Sequence, residues 1–188
     1  MKKTLISTLL ATSLVTTAHA SNHGTPTEAE ARGLIKEYMG QLKPALMKSM
    51  KEGGPVNSIE VCHTKAPAIA KELSEKSGWK INRVSLKPRG ATATPDAWEK
   101  TVLERFDAQL AEGKPIKGME VSQVIIMNGE KQYRYMKAIP TAAVCLNCHG
   151  TDVKPAVKQA ISEYYPDDQA VGYSKGQIRG AFSFTKAL

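Results

Sequence analysis

The sequence predicts an α+β domain in which helices flank a small antiparallel sheet. Three observations carry this expectation: helical spacing of apolar residues in the first half, an Asn-Gly hairpin signal at Asn128-Gly129, and a late strand-like run at 180–185. Thr25-Pro26-Thr27-Glu28 reads as a helix start, with a Thr cap, Pro in the first turn and Glu three residues on. Leu34, Ile35, Tyr38, Met39, Leu42, Leu46 and Met50 then recur on one face. Pro44 is expected to kink this helix and Gly53-Gly54 to end it. A second helix is expected over 55–76, with Ile59, Cys62, Ala66, Ile69, Ala70 and Leu73 on one stripe. Pro67 cannot bond the His63 carbonyl, so the backbone should distort beside Cys62.

Residues 79–86 have strand composition with imperfect alternation. Thr94-Pro95 opens a third helix, with Trp98, Val102, Phe106 and Leu110 on one face and Gly113 near its end. Strands at 121–127 and 132–139 flank the Asn128-Gly129 turn, with Tyr133 and Tyr135 on one face, and Pro140 stops the return strand. A short helix is expected over 155–164, and Phe182 and Phe184 share a face of the last strand. There are no repeats and no low-complexity linkers.

Residues 1–20 read as a signal peptide. Lys2 and Lys3 precede an apolar run, and Ala18-His19-Ala20 fits a cleavage site before Ser21. The run is too short to span a bilayer, and no cysteine is placed for a lipid anchor. The expectation is one soluble periplasmic domain over 21–188. Removing the leader lysines lowers the net charge from +8 to +6. That balance is compatible with an acidic redox partner or an anionic substrate and is accounted for more simply by solubility, while the lack of aromatics in basic runs gives nucleic-acid binding no support.

The stretch with most chemistry is Cys145-Leu146-Asn147-Cys148-His149. It is the C-x-x-C-H pattern that attaches a c-type haem: two thiols three positions apart add to the porphyrin vinyls, and the adjacent imidazole reaches the iron. A zinc site would need a second ligand pair from Cys62, His63 and His23, and a thioredoxin-like motif does not require the histidine. Export and covalent haem agree, because c-type haem is attached outside the inner membrane.

His149 would supply one axial ligand. Residues 150–188 contain neither methionine nor histidine, so a second protein ligand must lie upstream. His23 falls in the polar start, and Met39, Met47, Met50, Met119, Met127 and Met136 suit core filling better than ligation. His63 is a rival, placed about 100° round the helix from Cys62. Cys62 has no disulfide partner once the motif takes the other two cysteines, and it faces inward beside the Pro67 distortion. Thiolate ligation by Cys62 is the reading adopted, with His63 as the alternative.

Ile59-Glu60-Val61-Cys62 with Ala66-Pro67-Ala68-Ile69-Ala70 resembles the cysteine-ligand helix of PAS-like c-type haem domains. These occur as free periplasmic cytochromes and as sensing regions of bacterial signalling proteins. Further matching stretches are Arg83-Val84-Ser85, Pro95-Asp96-Ala97-Trp98-Glu99, Cys145 to Gly150, Tyr165-Pro166-Asp167-Asp168, Gly172-Tyr173 and Arg179-Gly180-Ala181, in order along the chain. The resemblance implies a PAS-like sheet, one covalent haem on Cys145 and Cys148, and iron ligation by His149 and Cys62. One stretch departs from the pattern. An Arg-Asn-Pro-like loop is expected before the third helix, but Arg89 is followed by Gly90-Ala91-Thr92. Arg89 is read as a haem-propionate contact or as a surface loop residue.

Thiolate donation favours ferric iron and a low reduction potential. The expected function is low-potential electron transfer, with redox or diatomic-gas (NO/CO) sensing through a partner protein as the alternative. An enzyme ranks last because no second catalytic group stands out. A redox or signalling partner is expected, and the long first helix offers a face for a homodimer. A cytochrome c′ would also carry a late motif, but it is an all-helical bundle, against the hairpin.

Overall fold

The computed structural model describes residues 26–188. The expected signal peptide, its cleavage site, His23 and Thr25 lie outside the described residues. Helix α1 spans Glu28–Glu60, and Thr27, not Thr25, is its cap, accepting the Glu30 N–H at 3.1 Å. The Thr27-x-x-Glu30 spacing puts the hydroxyl on the third helical N–H and leaves Pro26 ahead of the helix. The first helical segment breaks at Gly54 (φ 70°, ψ −163°), within the Gly53-Gly54 pair expected to end it, while Pro44 keeps helical φ/ψ. Gly54 precedes Pro55, which disfavours the helical conformation, and without a Cβ it reaches positive φ at little cost.

The helix then widens into a π turn over Val61–Lys65, where the Ala66 N–H reaches the Val61 carbonyl five residues back. Pro67 has no N–H for the His63 carbonyl, which accounts for the lost α turn. Helix α2 (Ala66–Ser77) follows and ends at left-handed Gly78.

Four strands, β1 (Lys80–Val84), β2 (Glu120–Met127), β3 (Glu130–Pro140) and β4 (Ile178–Ala187), form an antiparallel sheet in the order β1-β4-β3-β2. The β2–β3 turn has φ of 53° at Asn128 and 82° at Gly129, as a type I′ turn requires. This is the α+β class that the sequence predicts.

Both faces of the sheet are covered. On one, Ile81, Tyr135, Phe182 and Phe184 pack with Leu34, Tyr38 and Leu42 of α1, Val61, and Ile69 and Leu73 of α2. On the other, Val84, Met136, Ala138 and Ala181 pack with Val102, Leu103 and Phe106 of helix α3 (Ala97–Ala111). Each large aliphatic or phenylalanine side chain among these contributes about 1.5–3 kcal/mol when fully buried. Helix α3 is capped by Asp96, two residues later than Thr94 suggested, because Asp96 and Glu99 form a reciprocal capping box. A third cluster joins Ile59 to Val153 and to Val157 and Ile161 of helix α5 (Pro155–Tyr164). Among the described residues no helix is long and apolar enough to cross a membrane.

The α3 face also carries charge. Arg134 of β3, 3% exposed, donates to Asp96 at 2.8 Å and to Glu99 at 2.9 Å and lies over the Trp98 ring. Ser183 of β4 donates to the same Glu99 oxygen at 2.5 Å.

Gly180 sits where β4 passes closest to the end of β1. A Cβ there would lie 2.3 Å from the Val84 carbonyl oxygen. That atom is backbone and cannot swing aside, so Gly180→Ala should cost about 1–3 kcal/mol. A thermal melt checks this, and an unchanged midpoint would contradict the steric account.

Candidate functional site

A 3₁₀ turn (Ala143–Cys145) leads into the short helix α4 (Leu146–His149), which carries the second half of the motif. Cys145 caps this helix, and Cys145 and Cys148 are half-buried free thiols. Gly150 closes it: its N–H bonds the Leu146 carbonyl at 3.0 Å, and a Cβ there would lie 2.6 Å from that oxygen. The chain then returns alongside, with Gly172 N–H to the Gly150 carbonyl and Tyr173 N–H to the His149 carbonyl, both at 2.9 Å. The motif is thereby fastened to the 168–173 loop.

That loop orients the imidazole. His149 Nδ1 lies 2.7 Å from the Ala170 carbonyl oxygen. A carbonyl only accepts, so Nδ1 carries the proton and Nε2 keeps its lone pair free. The Arg179 Nε–H, 3.1 Å from the same Nδ1, is therefore an electrostatic neighbour and not a donor to it. Burial, followed by the charges of Arg179 and Arg89, pushes the His149 pKa down to about 2. The ring is neutral at physiological pH, as a metal ligand must be.

Arg89 organises the loop. Its side chain is 11% exposed and grips Asp168 with two hydrogen bonds, of 3.0 and 3.2 Å. It also donates to the carbonyls of Cys148 at 2.5 Å and Ala170 at 3.2 Å. The surface-loop reading of Arg89 is thus overturned. Its guanidinium joins the motif helix to the carbonyl that orients His149.

Cys62 lies in the π turn, half-buried, between Ile59 of the α5 cluster and Val61 of the sheet cluster. Burial pushes its thiol pKa up, Arg83, Arg89 and Arg179 oppose that rise, and Cys145 adds to it. Cys148 is likewise raised by burial, opposed by Arg89 and raised further by Cys62 and Cys145. The three cysteines and three arginines therefore share one electrostatic environment, although Cys62 and Cys145 are 83 positions apart in the chain. His63 faces outward, its ring 4.8 Å from that of Tyr164 and 5.4 Å from that of Tyr165. Met119 and Met136 are buried against α3, while Met39 and Met47 are exposed. Among the described residues no three His, Cys, Asp or Glu side chains cluster as a bare metal ion would need.

Sequence reasoning missed Asp168, Ala170, Arg83 and Arg179. Arg83, Asp168 and Arg179 stand in stretches quoted for the resemblance, but nothing in their spacing assigns them a partner.

Fold and site define a class: an α+β domain whose four-stranded sheet and π-turn helix bring a lone cysteine into the surroundings of a C-x-x-C-H helix. The chain belongs to the Tll0287-like family, whose sequence profile matches residues 3–186. Among solved structures it is similar to the cyanobacterial heme-protein Tll0287, with 25% identity and a TM-score of 0.62, covering 86% of this chain and 97% of that one. No curated relative matches the chain.

Proposed function

We propose that this chain is an exported periplasmic mono-haem c-type cytochrome that carries electrons at low potential to or from a partner protein. The haem would be held by thioether bonds from Cys145 and Cys148, and His149 and Cys62 would bind its iron. The observation that carries this reading is the imidazole of His149. It is neutral, with Nδ1 turned onto Ala170 and Nε2 left available, directly after two free thiols. The described residues fit the group, and the likeness to a solved heme-protein supports it.

Bound there, haem supplies an iron that cycles between ferric and ferrous states. The rest is done by the chain. Ala170 and Arg89 fix the angle of the imidazole, and such supporting hydrogen bonds hold a ligand ready for its metal. The arginines around Cys62 offset part of the cost of a buried thiolate. Ile59 and Val61, each buried in a core cluster, anchor the turn that carries Cys62.

The test is to express the full chain in a host that matures c-type cytochromes. Haem stain should stay with the protein on a denaturing gel, and Cys145→Ala/Cys148→Ala should abolish it. Colourless protein from a competent host would refute the reading. The π turn favours sensing as a second reading, because such turns mark functional sites and this one holds the proposed ligand. Spectra of the reduced protein under CO separate the two: no adduct supports electron transfer, and an adduct supports gas sensing.

A further inference from the structure

Arg179, the second residue of β4, is a cation without an anion. Among the described residues no carboxylate lies within ion-pairing distance of it. Its hydrogen-bond partners are uncharged, and the like charges of Arg89 and Arg83 are only partly offset by Asp168. Nη1 donates to Ser85 Oγ at 2.9 Å and to the Lys87 carbonyl at 3.4 Å, and the guanidinium lies over the Tyr173 ring, 5.2 Å from its centroid. Nε stands 3.1 Å from Nδ1 of His149. Ser85, which also donates to the Arg179 carbonyl at 2.8 Å, is 3% exposed, so the anchor is built into the fold. Withdrawing a charge from water without pairing it is costly, and folds keep such an arrangement where the charge acts on something.

Resting on the cytochrome reading above, we propose that Arg179 sets the reduction potential of the iron bound by His149. Reduction adds one electron and lowers the charge at the iron by one. A fixed positive charge against the outer edge of the ligating imidazole favours the lower-charge state, and partial burial limits screening. Arg179 therefore raises the potential against the strong donation of the Cys62 thiolate. It is a positioning residue for charge, touching the ligand and not the iron.

The experiment is a redox titration of the holoprotein with dithionite and ferricyanide, followed through its visible bands. Arg179→Gln should shift the midpoint to lower potential, with the oxidised bands in place. Arg179→Lys should stay near the wild type. Ser85→Asp keeps the arginine, supplies the missing anion beside it, and should lower the midpoint as Gln does, so the test survives if Arg179→Gln misfolds. A midpoint unchanged or raised in both Arg179→Gln and Ser85→Asp would overturn the proposal, as would a fall in Arg179→Lys equal to that in Arg179→Gln. Loss of the bands in the wild type would instead refute the cytochrome reading.

Discussion

With the ligation proposed above, Cys62→Ala should convert the oxidised protein from a thiolate-ligated low-spin spectrum to one without a sulfur ligand, and should raise the midpoint potential. The cause is the loss of an anionic donor that stabilises ferric iron. Burial raises the pKa of the free thiol, so a ferric ion bound there would have to hold the thiolate in its charged form. Haem stain on a denaturing gel should survive, since Cys145 and Cys148 are untouched. His63→Ala should leave the bands where they are, because that ring packs on Tyr164 and Tyr165. Electron paramagnetic resonance of the ferric protein reads both outcomes. An unchanged low-spin signal in Cys62→Ala would transfer the ligand role elsewhere.

Arg134→Leu should destabilise the domain by about 3–5 kcal/mol, because it strands Glu99 as a buried charge without its partner. The cost comes from the orphaned carboxylate more than from the lost attraction. Glu99→Leu/Arg134→Leu/Ser183→Ala removes the buried members of that group together, leaves only the more exposed Asp96, and should recover most of the loss. The remainder is about 1 kcal/mol for the capping contact of Glu99 with the Asp96 N–H. Urea titration of the two variants decides the matter. Equal losses in both would show that Arg134 acts through packing alone.

What could be read from the sequence follows the range of the forces involved. The Asn128-Gly129 turn and the helix Pro155–Tyr164 rest on neighbouring residues, and both stand as expected. The effect of Pro67 was legible as a distortion beside Cys62, but its form was not. The widened turn inserts a residue into the helical register, so Val61 joins the core although it lay off the expected stripe. Arg134 was not legible at all. In a strand reading Glu-Lys-Gln-Tyr-Arg-Tyr it resembles a solvated charge, and its partner Glu99 lies 35 residues upstream. Arg89 and Asp168 are 79 residues apart, and no spacing rule links them. The motif Cys145, Cys148 and His149 was legible because covalent attachment fixes its spacing, whereas Cys62 was reached by elimination and by resemblance. The groups that hold them in place were not, because only tertiary packing brings those together.

The strand order β1-β4-β3-β2 has a kinetic consequence. The strand that joins β1 to β3 is the last of the four along the chain, so the hairpin and β1 share no ladder until residues up to Ala187 have emerged. Closing so long a loop is slow relative to local helix and hairpin formation. The thiols at 145 and 148 therefore precede in the chain the strand that completes the sheet, and their segment meets its partner loop at 168–173 before that strand is in place.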